Sequence, residues 1–147
     1  MGLVRYIAAV SSRLRSLISS KPGNPRHILG RRGEAVAARY LRRLGYKVLY
    51  RNYRAPGGGE VDIVCRERDV LVFVEVKTRS SETGGAPAES VTRAKQQLII
   101  RGAHSWLKLL DRPDICYRFD IVEVRAFEKG TEVNVIRNAF APPEIYR

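Results

Sequence analysis

Cysteines and long apolar runs are scarce in this sequence. Only two of its 147 residues are cysteines, Cys65 and Cys116, too few for a disulfide framework or a four-cysteine zinc site. Both lie in apolar stretches typical of strands, so we expect buried, free, unreactive thiols in a reducing compartment. No apolar run approaches the roughly 20 residues of a membrane-spanning helix, and the stretch 6–10 is too short for a secretory signal. We therefore predict a cytoplasmic protein without a transmembrane segment.

Acidic residues are absent from the first 33 positions, which hold seven of the 27 Lys and Arg residues. Apolar residues at alternating spacings of four and three predict a basic amphipathic helix here, and the cluster 19–25, with two prolines, predicts a linker. We therefore divide the chain into an N-terminal segment, 1–25, and a domain, 26–147. Three roles for the predicted helix stay open: packing on the domain or a second copy, contacting nucleic acid, or lying on a membrane surface.

The charge of the whole chain favours a polyanionic partner. The net charge is +12 and the pI is about 10.3, while 44% of the residues are hydrophobic. That apolar fraction is sufficient for the core of one domain. A strongly basic domain is attracted to nucleic acid or to another anionic surface, and composition does not choose between them.

The remainder of the chain alternates helical and strand patterns. We predict helices at 30–44 and 90–110, strands at 46–53, 60–66, 70–77, 117–125 and 132–138, a hairpin turn at 66–69, and a Gly- and Ser-rich loop at 79–87. The order α-β-β-β-α-β-β predicts an α/β fold with a mixed central sheet flanked by helices. Both faces of the strand 70–77 are mainly apolar, which indicates a central position in the sheet.

The third strand nevertheless carries two charges among its apolar residues. Because side chains alternate along a strand, Glu75 and Lys77 share the face of Leu71 and Phe73. A charged pair on a buried face requires an explanation. One explanation is a salt-bridge network on a face that is in fact solvated; the other is a functional site.

The preceding strand adds carboxylates to the same face. A two-residue hairpin loop would place Glu60 across from Glu75 with Asp62 diagonal, and a four-residue loop would place Asp62 directly across. In either register the carboxylates cluster, and like charges within about 5 Å repel. Burying them unpaired costs several kcal/mol. A divalent cation with a lysine nearby would resolve the conflict.

By helix periodicity, two further charged residues are expected to face the same carboxylate cluster. Glu34 shares the core-facing side of the first predicted helix, and Lys95 lies on the apolar stripe of the second. Each has an ordinary alternative. A glutamate suits the N-terminal end of a helix dipole, and a lysine can extend from the core edge to water.

Together these residues resemble the PD-(D/E)xK nuclease signature, here Asp62, twelve residues, then Glu75-Val76-Lys77, with Val61 in place of the leading proline. A wider set over about residues 28–140 resembles, in order, the bacterial YraN-like family. That family belongs to the restriction-endonuclease-like superfamily and is related to archaeal-type Holliday-junction resolvases. The set comprises Gly33-Glu34, Gly45-Tyr46, Asn52, Gly59-Glu60-Val61-Asp62, the stretch 72–79, Lys95, Arg118-Phe119-Asp120 and Asn138-Ala139-Phe140.

The resemblance implies a restriction-endonuclease-like core and a set of roles. Asp62 and Glu75, with the Val76 carbonyl, would hold Mg²⁺ or Mn²⁺. Lys77 would orient the attacking water or stabilise the charged phosphate. Glu34 would contribute through a water or a second metal ion.

Two further residues would support these ligands. They are Glu60 and Lys95, which we expect to contact the metal-binding side chains. Asp120 precedes alternating apolar residues, so we expect it to form a structural bond with Arg118.

Exposed basic residues are the candidates for nucleic-acid contact. One helical stripe on the second helix lies opposite its apolar face, and the first helix carries another group. Such stripes also occur as solvated faces, but the net charge favours phosphate contact. With no base-reading motif, we expect recognition by shape and charge. The candidates are Arg39, Arg43, Arg79, Arg93, Arg101 and Lys108.

The favoured hypothesis is a metal-dependent nuclease that cleaves DNA, with branched, Holliday-junction-like DNA as a candidate substrate. A homodimer would supply the two symmetric cuts that a junction needs. The alternative is a non-catalytic nucleic-acid-binding module on a nuclease fold. A third hypothesis, a membrane-associated or assembly protein, depends on the first twenty residues alone.

Overall fold

The computed structural model describes residues 25–80, 91–111, 114–127 and 130–143. The predicted N-terminal amphipathic helix and most of the predicted loop 79–87 lie outside these residues. Neither helix of the described part is both long and apolar enough to cross a membrane.

The described chain forms two helices and a five-stranded sheet. In chain order these are α1 (Pro25–Arg43), β1 (Lys47–Arg54), β2 (Glu60–Glu67), β3 (Val70–Ser80), α2 (Arg93–Leu110), β4 (Tyr117–Phe127) and β5 (Gly130–Phe140). The strands are ordered β1-β2-β3-β4-β5 across the sheet. Strands β3 and β4 are parallel and every other neighbouring pair is antiparallel. The α/β class, the mixed sheet, the element order and the central position of β3 are confirmed.

Helix α1 begins at Pro25, five residues earlier than we predicted. Proline suits the first turn of a helix because its missing N–H would have no partner there. The helix ends as predicted, with Gly45 at φ +92° donating its amide to the Arg42 carbonyl at 3.0 Å. Ala37 is fully buried, whereas Leu44, predicted on the same face, is 47% exposed because it lies beyond the last helical residue.

The two helices cover opposite faces of the sheet. Ala37, Ala38 and Leu41 of α1 join a core cluster with the valines of β3 at 72, 74 and 76. Trp106 of α2 joins the other cluster, with Leu71 and Phe73. The predicted division of β3 into two apolar faces is therefore correct, and Glu75 and Lys77 lie on the α2 side.

The cysteine prediction is half right. Cys65 is a buried, free thiol, and burial is the main cause of the raised pKa of its thiol. Cys116 is free but exposed. Because β4 begins only at Tyr117, the side chain of Cys116 precedes the strand and does not enter the core.

Candidate functional site

The register of the β2–β3 hairpin brings two carboxylates face to face. One position beyond the last paired residues, Asp62 lies across from Glu75. The hairpin loop has two residues, 68–69. Our expectation that a two-residue loop would oppose Glu60 to Glu75 is wrong, because the turn is centred one residue later than in the predicted turn 66–69.

The Asp62 side chain accepts a hydrogen bond from the β3 backbone just beyond the last paired residues of β2 and β3. Its Oδ2 accepts a hydrogen bond from the Val76 amide at 2.8 Å. This bond fixes one carboxylate oxygen beside the backbone that follows Glu75. The two acidic side chains are thereby held at a common position in the sheet.

Glu75 is a buried carboxylate with an unpaired oxygen. Its side chain is only 4% exposed, and its Oε1 lies 3.3 Å from Lys77 Nζ and 3.7 Å from Lys95 Nζ. Its Oε2 is buried and has no hydrogen-bond partner among the described residues. Burial, and then the negative charge of Asp62, raise the pKa of Glu75 to about 8. The surroundings of Glu75 therefore favour an additional positive charge.

Glu60 and Lys95 form an ion pair beside these carboxylates. Lys95 Nζ donates to Glu60 Oε1, and Arg54 Nη1 contacts Glu60 Oε2 at 2.7 Å. Burial alone would lower the pKa of Lys95, but the hydrogen bond to Glu60 and the charge of Glu75 outweigh it and raise the pKa. Lys95 therefore stays cationic and bridges Glu60 and Glu75, as expected of a supporting residue.

Glu34 approaches the same position from α1. The helix packs closely on the end of β3, since a Cβ atom on Gly33 would lie 1.8 Å from Thr78 Oγ1. Burial and then the charge of Asp62 raise the pKa of Glu34, partly offset by a hydrogen bond with the Asn52 side chain. Glu34 Oε2 is also buried without a partner in the described part of the chain.

Asn52 is a site residue to which the sequence analysis gave no role. It lies on β1 with a left-handed φ of +56°, which asparagine tolerates better than most residues. Its contact with Glu34 connects β1 to α1 next to Asp62. The available signal was a polar, turn-favouring residue in the middle of a strand pattern.

Glu123 is a second residue that the sequence analysis missed. It lies on β4 in register with Lys77, is 5% exposed, and accepts a 3.4 Å hydrogen bond from Asn134 Nδ2. Its Oε1 is buried without a partner among the described residues. The signal was available: a glutamate interrupts the apolar run 121–124, as Glu75 interrupts β3.

The oxygen donors fit a hard cation held by few side chains. No three His, Cys, Asp or Glu side chains within the described ranges are gathered closely enough to hold a metal ion by themselves. Asp62 and Glu75 are the two carboxylates that oppose each other, and Glu75 has an oxygen to spare. Two carboxylates completed by backbone oxygen and water are a donor set that suits Mg²⁺ or Mn²⁺.

The six candidate nucleic-acid contacts do not form one surface. Arg93, Arg101 and Lys108 are exposed on α2, whereas Arg39 and Arg43 are exposed on α1, across the sheet. Arg79 is half-buried and belongs to β3, which continues to Ser80, not to a loop.

Asp120 has the structural role that we predicted. It is fully buried, and its carboxylate accepts from Arg118 Nε at 3.0 Å and from the Asn138 amide at 2.9 Å. Arg118 also contacts Glu67 at 2.8 Å. Because every charge in this cluster has a partner, the cluster differs from the site around Glu75.

Comparison with known sequences assigns the family. Residues 33–124 match the sequence model described as "Uncharacterised protein family UPF0102". Similar proteins include the UPF0102 protein of Geobacter metallireducens, 44% identical over 112 residues, 76% of this chain and 91% of the relative. Another, from Chlorobaculum tepidum, is 49% identical over 118 residues, 76% of this chain and 91% of the relative. The chain therefore belongs to the UPF0102 family, which is the YraN-like family.

Proposed function

We propose that this protein is a metal-dependent nuclease that hydrolyses phosphodiester bonds in DNA, with Mg²⁺ or Mn²⁺ as its cofactor. The observation that carries the proposal is the opposition of Asp62 and Glu75, one of them buried with a spare oxygen, beside Lys77 and Lys95. A site with two carboxylates and two ammonium groups serves both a cation and a phosphate.

The ligand set is the one that the resemblance to PD-(D/E)xK nucleases implies, and the opposition of Asp62 and Glu75 supports it. Asp62, Glu75 and the Val76 carbonyl would hold the cation, with Glu34 contributing through a water. The cation would supply a Lewis acid that activates water and offsets negative charge on the phosphate.

The lysines have separate roles in this proposal. Lys77, whose side chain is 26% exposed and whose Nζ lies 3.3 Å from Glu75 Oε1, would orient the attacking water or stabilise charge on the phosphate. Lys95 is engaged with Glu60 and Glu75, so it would hold the ligands in position.

The charge of the chain supports a nucleic-acid substrate, since +12 on 147 residues favours a polyanion. Branched, Holliday-junction-like DNA is the first substrate to test. Its symmetric resolution would require two copies of this chain.

The test is cleavage of a labelled panel comprising a four-way junction, a flap, a single strand, a duplex and a structured RNA. Each is incubated with Mg²⁺, Mn²⁺ or EDTA. Asp62→Ala and Lys77→Ala are expected to lose at least about 100-fold in rate. The matched controls, Asp69→Ala and Lys47→Ala, remove exposed charges at the hairpin end of the sheet and should cleave normally.

Two outcomes would reject the proposal. Cleavage that persists in both site variants would come from another enzyme. Tight binding without cleavage, unchanged in the site variants, would identify a non-catalytic nucleic-acid-binding module on a nuclease fold.

A further inference from the structure

A basic cleft lies beside the candidate site, between the loop that joins β1 to β2 and the exposed side of α2. Its volume is about 680 Å³. The loop contributes residues 55–58, and α2 contributes Gln97, Arg101, His104 and Lys108. No carboxylate is among its described lining residues. A cleft whose charged described residues are all basic therefore adjoins a site rich in carboxylates.

Close backbone packing fixes this cleft relative to the site. Gly59 has φ +130°, and a Cβ atom on it would lie 2.6 Å from the Gly102 amide nitrogen. A Cβ atom on Gly102 would in turn lie 3.0 Å from the Glu60 nitrogen. The loop therefore rests directly on α2 immediately before Glu60. Arg101 Nη1 lies over the loop, 3.6 Å from the position of a Cβ atom on Gly58.

The cations of the cleft have no counter-ion among the described residues. Arg101 and Lys108 are exposed, and neither forms an ion pair within the described part of the chain. Burial, and then the charge of Lys108, lower the pKa of the His104 ring, which also lines the cleft. Two exposed cations in one cleft are suited to a phosphate group.

The distance along α2 relates this cleft to the site. Arg101 is six residues beyond Lys95, which is about 9 Å along a helix axis. One strand of a duplex carries a charge about every 3.4 Å along the axis. A phosphate at Arg101 would therefore lie two or three nucleotides from a phosphate bound at the proposed metal site beside Lys95.

We propose that this cleft is a second phosphate subsite, in which Arg101 binds the backbone of the nucleic-acid strand two or three nucleotides from the bond to be cleaved, and Lys108, about 10 Å farther along α2, binds it about three nucleotides beyond that. The proposal deepens the proposed function and rests on it for the identity of the ligand. It gives the protein a fixed register on its substrate without contacts to the bases.

The first test measures binding of a fluorescently labelled four-way junction and single strand by anisotropy, in EDTA, over a range of salt concentrations. The variant is Arg101→Gln with Lys108→Gln. The matched control is Lys47→Gln with Arg68→Asn, which removes two exposed positive charges at the far, hairpin end of the sheet. We expect about tenfold weaker binding and a salt slope lower by about 1–2 for the cleft variant. The control should change affinity by less than about threefold.

The second test locates the bound strand by nuclear magnetic resonance. The sequence has only two histidines, His27 and His104. Titration of an unlabelled oligonucleotide in EDTA should shift the side-chain resonances of His104 in the wild type. The shift should be lost with Arg101→Gln and Lys108→Gln.

The outcomes separate the subsite from the catalytic proposal. Equal weakening by the cleft variant and the control, no shift at His104, or no binding by the wild type would each overturn the subsite. Binding that depends on Arg101 and Lys108 without metal-dependent cleavage would keep the subsite and reject the nuclease. Cleavage that depends on Asp62, together with binding that does not depend on Arg101 and Lys108, would keep the nuclease and reject the subsite.

Discussion

At the scale of single residues, burying a carboxylate is unfavourable unless partners offset its charge. Two buried acids of the central strands, Asp120 and Glu75, differ in how fully this is done. Asp120 has Arg118 two positions away on its own face of β4, and the Asn138 amide as well. Glu75 keeps an oxygen without a partner in the described structure, although two lysines approach the other oxygen. The oxygen of Glu75 that has no described partner is the one that the proposed function uses as a ligand for the cation.

Glu75→Gln is therefore expected to make the metal-free protein more stable. The folded-state pKa of Glu75 is about 8, above its ordinary value of 4.5, so ionisation opposes folding. The stability of the wild type should fall as the pH rises between these values, whereas glutamine does not titrate. Chemical denaturation in EDTA should show a gain of about 1–3 kcal/mol at pH 8. The gain should disappear below about pH 4.5.

Glu67→Gln is the control of opposite sign. Burial would raise the pKa of Glu67, but Arg118 and Arg137 outweigh it and lower the pKa. This variant should lose stability near pH 7, and the loss should disappear as the pH falls through the lowered pKa. Added Mn²⁺ should stabilise the wild type and Glu67→Gln but not Glu75→Gln. A metal response that survives in Glu75→Gln would contradict the assigned ligand.

At the scale of elements, the contact between α1 and the end of β3 decides where Glu34 lies. The middle of α1 approaches Thr78 so closely that Gly33 leaves no space for a side chain. This contact lies one residue beyond Lys77 along β3. The position of α1 against β3 therefore determines whether Glu34 reaches the site.

Gly33→Ala should reveal that linkage. Alanine normally stabilises a helix by about 1 kcal/mol relative to glycine. Here its Cβ would lie 1.8 Å from Thr78 Oγ1, and we expect a net loss of about 1–3 kcal/mol. Displacement of Glu34 should also weaken Mn²⁺-dependent cleavage.

Gly30→Ala is the matched control in the same helix, since nothing lies within 4 Å of a Cβ atom there. It should gain about 0.5–1 kcal/mol of stability in thermal or urea denaturation. If both variants gained stability alike, the close contact of α1 with β3 would be wrong.

The elements themselves could be predicted from the sequence, whereas the contacts between them could not. The element order and the two faces of β3 follow from periodicity, which is a local property of the chain. The pairing of Asp62 with Glu75 depends on where a two-residue turn is centred, and a one-residue displacement changes every partner. Asn52 and Glu123 reach the site through β1 and β4, and strand order across a sheet is not written in local spacing.

At the scale of the whole molecule, exposed basic residues lie on both sides of the sheet, whereas the carboxylates of Asp62 and Glu75 oppose each other at one position in it. The core clusters and the site lie within the described residues, beginning with α1. The described helices and strands supply both clusters, so we expect the domain to fold without residues 1–24.

Deletion of residues 1–24 should therefore leave the fold and cleavage intact. The deletion removes Arg5, Arg13, Arg15 and Lys21 and no acid, so four positive charges are lost. The thermal midpoint should change by less than about 4 °C, equivalent to under 1 kcal/mol for a domain of this size. A larger fall would assign the segment to packing on the domain. Separate liposome and DNA binding assays distinguish its other two roles.

The hydrogen bond between the Asp62 carboxylate and the Val76 amide gives the molecule an internal sensor. That amide proton is retained by a single acidic side chain at the point where two strands separate, whereas neighbouring amides are retained by the sheet as a whole. Its exchange with deuterated solvent would therefore follow the occupancy of one carboxylate, independent of global unfolding. If Mg²⁺ or Mn²⁺ binds at Asp62 as proposed, hydrogen exchange at this one backbone position would report its binding, without a substrate and without turnover.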